Sequence, residues 1–287
     1  MHKTILFLSC AAILAACGGG GGGGDSSSPV TQTPPPTAQA PTPAPVPAPN
    51  PPTASITIDV LPLMSPGVED QFVDADLRIN HLFSTANAVL ADSGVNLILN
   101  SLQLEVVAYP DGHDAETALR DVTNGTHPTL AHVAALRETL AADLVVFFRP
   151  YANDGRCGYA WIGGYGADGD FSNAAERDFA YSVVAANCSD YTLLHEIGHN
   201  LGLAHSRREA SDGGTYAWSV GHGSDNDFVT IMASPDAFNA TRLPRLASPN
   251  LDCNGTPCGV DAGLDPDNGA DAVSALEVTA SQVAEYY

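Results

Sequence analysis

Eleven residues of this 287-residue chain have types and spacing that could do chemistry: His195-Glu196-Ile197-Gly198-His199-Asn200-Leu201-Gly202-Leu203-Ala204-His205. If they begin as a helix, His195 and His199 project from one face, four residues apart, and both imidazoles can bind one zinc ion. Glu196 lies about a hundred degrees round the helix, near enough to serve a metal-bound water without ligating the metal. Gly202 suits a left-handed residue that ends the helix, after which the chain turns back to bring His205 in as third ligand. Three protein ligands leave a position open for water, which is the pattern of a catalytic rather than a structural zinc. The metal acidifies that water and polarises a carbonyl, while Glu196 takes the proton as general base and returns it as general acid to the leaving amine. HExxH alone would be weak evidence, but the glycine and third histidine at fixed offsets make it strong.

The extended motif resembles the metzincin clan of zinc endopeptidases, whose members carry a methionine turn beneath the metal. Thr230-Ile231-Met232-Ala233 matches that turn. The resemblance implies that Met232 forms a hydrophobic base under the three imidazoles and does not ligate. Cys157-Gly158-Tyr159-Ala160-Trp161 and Arg242-Leu-Pro-Arg-Leu-Ala-Ser-Pro-Asn250 narrow the likeness to reprolysin-like bacterial peptidases, especially the peptidyl-Asp metalloendopeptidases. It implies a metzincin (zincin-like) α/β, or α+β, domain. Such a domain has a mixed twisted sheet with an edge strand over the cleft, a zinc-binding helix, a Met-turn and a C-terminal helix. The edge strand would hold Gly158, Tyr159, Ala160 and Trp161 against an extended substrate. Arg242 and Arg245 follow the Met-turn, where the clan builds the pocket beyond the scissile bond, and an arginine there would suit an acidic side chain. Two positions depart from the pattern. Ser206 stands where reprolysins usually have Asp, and Ser234 where some metzincins have a ligating tyrosine.

The elements that must position these residues read as alternating strands and helices. Ser55–Leu63 is β-branched and alternating, Glu69–Asp92 has helical spacing that stops at Gly94, and Val95–Tyr109 is a second strand region. Residues 126–142 are expected to be helical, with Pro128 as an alternative start, and the apolar run 143–148 reads as a strand buried on both faces. Residues 156–162 and 180–184 are further strands, and a last helix is expected from about Asn268 to Tyr287, capped by Asp267. Strand and helix in alternation indicate an α/β layer fold.

Composition narrows the partners. With 33 acidic against 11 basic residues, a net charge of −22 and Lys3 as its single lysine, the chain is a poor match for nucleic acid or an anionic membrane surface. Residues 1–16 read as a signal peptide, and Leu14-Ala15-Ala16-Cys17 resembles a lipobox, which implies lipidation of Cys17 and, with Gly18 following, the outer membrane. Simple secretion is the alternative. Residues 17–53, rich in Gly, Pro and Thr, form a tether that cannot bury enough apolar surface to fold. The globular part is expected over 54–287, as a monomer.

In an exported domain, Cys157, Cys188, Cys253 and Cys258 are expected to form two disulfides. Of three connectivities, Cys157–Cys188 with Cys253–Cys258 is preferred. His222 is a candidate for the cleft or a surface loop, and His81, His113, His127 and His132 have no metal spacing. Asp225-Asn226-Asp227 and Asp265/Asp267 could bind calcium but fit no EF-hand spacing, so solvated turns are preferred. The expected function is a zinc-dependent endopeptidase acting on proteins outside the inner membrane. Another zinc hydrolase, or a non-catalytic surface lipoprotein that keeps the domain for binding, is the alternative.

Overall fold

The computed structural model describes residues 54–287; the signal sequence, Cys17 and the tether lie outside the described residues. The chain opens with β1 (Ile56–Met64), a turn of helix α1 (Pro66–Glu69) and α2 (Ala75–Asp92). The helix expected from Glu69 starts later, because the Asp74 carboxylate caps it by accepting from the Leu77 N–H at 2.8 Å. β2 (Leu97–Ser101) and β3 (Glu105–Val106) occupy the second strand region. An unanticipated helix follows, α3 (Ala115–Asn124), capped by Asp114 and closed by Gly125 at φ 60°. The expected helix over 126–142 is divided into a 3-10 turn at Pro128–Leu130 and α4 (Val133–Thr139), since Pro128 can only open a helix.

β4 (Leu144–Arg149), β5 (Gly158–Ala160), α5 (Ala174–Asp178) and β6 (Tyr181–Ala185) complete the main sheet. Its order is β2-β1-β4-β6-β5, with β3 also paired to β1. All pairings are parallel except β5, which runs antiparallel to β6 at the edge, with Gly158 opposite Val184 and Ala160 opposite Ser182. Alternation sorts the strands into two cores. Ile58, Val60, Met64, Val146 and Phe148 pack on one face with α2 and α6 (Thr192–Asn200), while Leu61, Leu63, Val145 and Phe147 pack on the other with α3.

Beyond α6 regular structure is scarce. β7 (Gly223–Ser224), β8 (Phe228–Val229), α7 (Pro235–Phe238), β9 (Thr241–Arg242), β10 (Asp252–Cys253) and β11 (Thr256–Pro257) are each two to four residues long. The last helix, α8 (Ala272–Val283), starts later than expected, and its cap is Asp271, which accepts from Ser274 N at 3.1 Å; Asp267 does not cap it. Disulfides join Cys157 to Cys188 and Cys253 to Cys258. The first fastens the approach to β5 onto the loop that enters α6, and the second closes the β10–β11 hairpin. No helix among the described residues is long and apolar enough to cross a membrane.

Candidate metal centre

α6 runs from β6 into the middle of the larger core and brings His195, Glu196 and His199 with it. The helix ends as a Schellman motif: Leu203 N–H bonds Gly198 O at 2.9 Å and Gly202 N–H bonds His199 O at 2.9 Å, with Gly202 at φ 90°. The turn reverses the chain and returns His205 to the helix. His195 Nε2 and His199 Nε2 lie 3.0 and 3.2 Å from His205 Nε2. Two nitrogens bound at about 2.0–2.1 Å to one tetrahedral zinc would stand roughly 3.3–3.4 Å apart, so the three rings fit that ion. Among the described residues these three side chains form a group that could hold a metal ion.

The outer nitrogens of two rings are fixed. His195 Nδ1 meets Ile231 O at 2.9 Å and His199 Nδ1 meets Leu203 O at 2.9 Å, which leaves Nε2 as the free lone pair on each. Burial, with repulsion from the neighbouring imidazoles, holds His195 well below the usual histidine range and His199 down at about 4. Neutral rings are the form a metal needs. Met232 is buried against the helix: a Cβ at Gly198 would lie 2.8 Å from its sulfur, so glycine in the helix lets the methionine approach.

Glu196 is 4 % exposed, and burial pushes its carboxyl up to about 8, opposed by the charge of Arg242. Gly158 faces it so closely that a Cβ there would lie 2.3 Å from Glu196 Oε1. The edge strand's glycine therefore makes room for the carboxylate as well as for any ligand. Asn200 locks helix to strand, its Nδ2 donating to Trp161 O and Tyr181 O at 3.0 Å each.

A cleft of about 530 Å³ opens over these groups, lined among others by Arg156, Gly158, Tyr159, Ala160, Glu209 and Arg242. Trp161 is a correction, because it does not line the cleft. Its indole donates to Thr123 Oγ1 at 2.9 Å and packs edge-on against Phe179. Arg245 is another, held by Asp92 at 3.2 Å away from the cleft lining. Arg242 lies in the cleft wall with its Nη2 on Ala233 O at 3.0 Å, its Nε unpartnered, and no ion pair among the described residues. Burial lowers its pKa, while the carboxylates of Glu209 and Glu196 resist that shift.

His222 lines a separate groove with Phe228 and Arg208. Asp225 is engaged by Arg208, and Asp227 accepts from Asn254 at 2.8 Å, so this turn is committed to protein partners. Sequence reasoning passed over Glu209. Its signal was Ser206-x-x-Glu209, a capping-box pattern that the structure forms.

Residues 65–262 match the Metallo-peptidase family M12B, Reprolysin-like. A peptidyl-Asp metalloendopeptidase of Pseudomonas aeruginosa is 31% identical over 255 residues, covering 80% of this chain and 40% of the relative. One of Xanthomonas campestris is 31% identical over 180 residues, covering 61% of this chain and 39% of the relative. The chain thus spans about two-fifths of the length of these relatives. A chain in a solved chaperone–substrate complex superposes with a TM-score of 0.61 at 24% identity, over 81% of this chain and 35% of that one, and bears on fold alone.

Proposed function

The chain belongs to the reprolysin-like M12B metallopeptidase family, and from that membership we propose that it is a zinc-dependent endopeptidase cleaving extracytoplasmic proteins. The observation that carries the reading is the convergence of three imidazole Nε2 atoms beside a buried carboxylate in a cleft bordered by an unpaired strand edge. His195, His199 and His205 would hold the ion. When bound, zinc supplies the positive charge that polarises a peptide carbonyl and makes water a nucleophile near neutral pH.

This chain's own residues supply the rest. The free edge of β5 offers backbone groups to an extended peptide, which lays its scissile bond across Gly158 and Glu196. Glu196, buried beside the three imidazoles, accepts the proton of the attacking water and delivers it to the departing amine. Arg242, in the cleft wall and without an ion-pair partner among the described residues, would take an acidic side chain just beyond the cut, in keeping with the peptidyl-Asp name of the relatives. The sequence features at residues 1–53 support export with a lipid on Cys17 and a tether between membrane and enzyme.

Wild type and Glu196→Gln, each with measured zinc content, should differ by about 10²–10⁴-fold in peptidase rate at equal zinc occupancy. Equal rates would remove the mechanism. On a peptide library, Arg242→Ala should lose the preference for an acidic residue after the cut, and an unchanged profile would end that assignment. Cys17→Ala should release the protein from the membrane fraction, and its retention there would count against the anchor.

A further inference from the structure

The three imidazoles are not held alike. His195 and His199 come from a helix and have their outer nitrogens on backbone carbonyls, whereas His205 comes from an irregular loop, is exposed, and has no carbonyl hydrogen bond at Nδ1 among the described residues. Glu209 Oε1 lies 3.9 Å from its Nδ1. The other oxygen of that carboxylate is fully used: Oε2 accepts from Ser206 Oγ at 2.6 Å, from Ser206 N at 3.3 Å and from Ser234 N at 3.0 Å. Ser206 adjoins His205, and Ser234 lies two residues past Met232. One carboxylate therefore ties the loop of the third ring to the Met232 turn, and its other oxygen lies toward that ring.

We infer that Glu209 is a positioning residue for His205, holding the third ligand against the Met232 turn and presenting a carboxylate to its Nδ1. The separation of 3.9 Å is beyond a direct hydrogen bond, but a modest rotation of the exposed ring, or one bridging water, closes it. A carboxylate behind a ligating imidazole fixes its tautomer and raises its basicity. The inference rests on the zinc reading above and goes beyond it in assigning a role to a residue outside the HExxHxxGxxH motif.

The test is zinc affinity of the full chain by competition with a chromophoric chelator, for wild type, Glu209→Ala and Glu209→Gln. The thermal midpoint of each metal-free protein is measured alongside. Alanine should weaken zinc binding about 10–100-fold while the metal-free protein stays folded with a modestly lower midpoint, because the carboxylate serves both the Ser206–Ser234 tie and the ligand. Glutamine keeps one oxygen for Ser206 and Ser234 but loses the charge facing His205, so its affinity should fall between the other two. A Glu209→Ala affinity within twofold of wild type overturns the inference, and so does a loss matched by collapse of the metal-free protein. Should alanine prevent folding, glutamine decides: wild-type affinity in that variant overturns it. A wild type that takes up no zinc brings down the functional reading as well, whereas one zinc in wild type with no effect of Glu209 brings down this inference alone.

Discussion

The two halves of the domain meet at the end of α6 and are held together by different means. Up to Asn200 the chain is strands and helices whose alternate side chains fill two cores, as β4 does with Val146 and Phe148 on one face and Val145 and Phe147 on the other. Between Leu201 and Asp271 no helix exceeds four residues and no strand exceeds two. There the chain is fixed by polar side chains bonding backbone, such as Thr230 Oγ1 with His222 and Ser219 Oγ with Gly202 O, and by backbone packed on backbone. A Cβ on Gly221 would lie 2.4 Å from the carbonyl carbon of Met232, and one on Gly214 would lie 2.0 Å from Gly202 O. The regular half should therefore fail when atoms are removed, and the irregular half when they are added.

Phe148→Ala should show the largest effect. The ring is fully buried against Phe83, and its loss should cost about 3–5 kcal/mol in urea unfolding. A cost below about 1 kcal/mol would mean that this core collapses to fill space and that the contrast is overdrawn. Gly221→Ala adds a single methyl to the other half and should cost about 1–3 kcal/mol. It should also lower zinc affinity, because the displaced turn carries Ile231, the carbonyl that orients His195. If Gly221→Ala is as stable as wild type and binds zinc as tightly, the irregular half is softer than its backbone contacts imply.

The smallest effect probes the regular half at one of its buried charged side chains. Asp143 is 3 % exposed at the start of β4; burial, with repulsion from Asp59, raises its pKa from 3.8 to about 6. Between those values the folded protein holds more protons than the unfolded chain, so this group's contribution to stability is full below about pH 4 and is lost as pH rises past 6. Asp143→Asn keeps an oxygen for the Asp59 N–H but cannot ionise. Its thermal midpoint relative to wild type should rise from pH 4 to pH 7. Parallel curves over that range would show that Asp143 does not titrate in this way.

Legibility in the sequence follows the same division. β1, β4 and β6 were readable because a strand buried on one or both faces must place apolar residues at fixed period, and the sheet then assembles from them. α3 was missed because its cap, Asp114, and stop, Gly125, enclose a short and mostly polar segment with a narrow buried stripe. The start of α8 was misjudged because Asp267 and Asp271 are equally good caps by type, and only Asp271 adjoins the buried Ala272 and Ala275. Trp161 and Arg245 were drawn toward the cleft by proximity in the chain. The Thr123 hydroxyl and Phe179 hold the Trp161 indole away from the cleft, and Asp92, distant in sequence, takes Arg245.

The sequence by itself determined which three imidazoles and which carboxylate come together, since a helix and a glycine-terminated turn make residues 195–205 neighbours through local geometry alone. It also determined the α/β character, through the period of the apolar residues. Only the tertiary structure decided which arginine faces the cleft, why Gly158 has no side chain, and that Glu209 joins the third histidine to the Met232 turn. The physical reason is range. Helical spacing and capping act over a few residues, whereas the contacts of Arg242 with Ala233, Gly158 with Glu196 and Glu209 with Ser234 close across separations that no local pattern encodes.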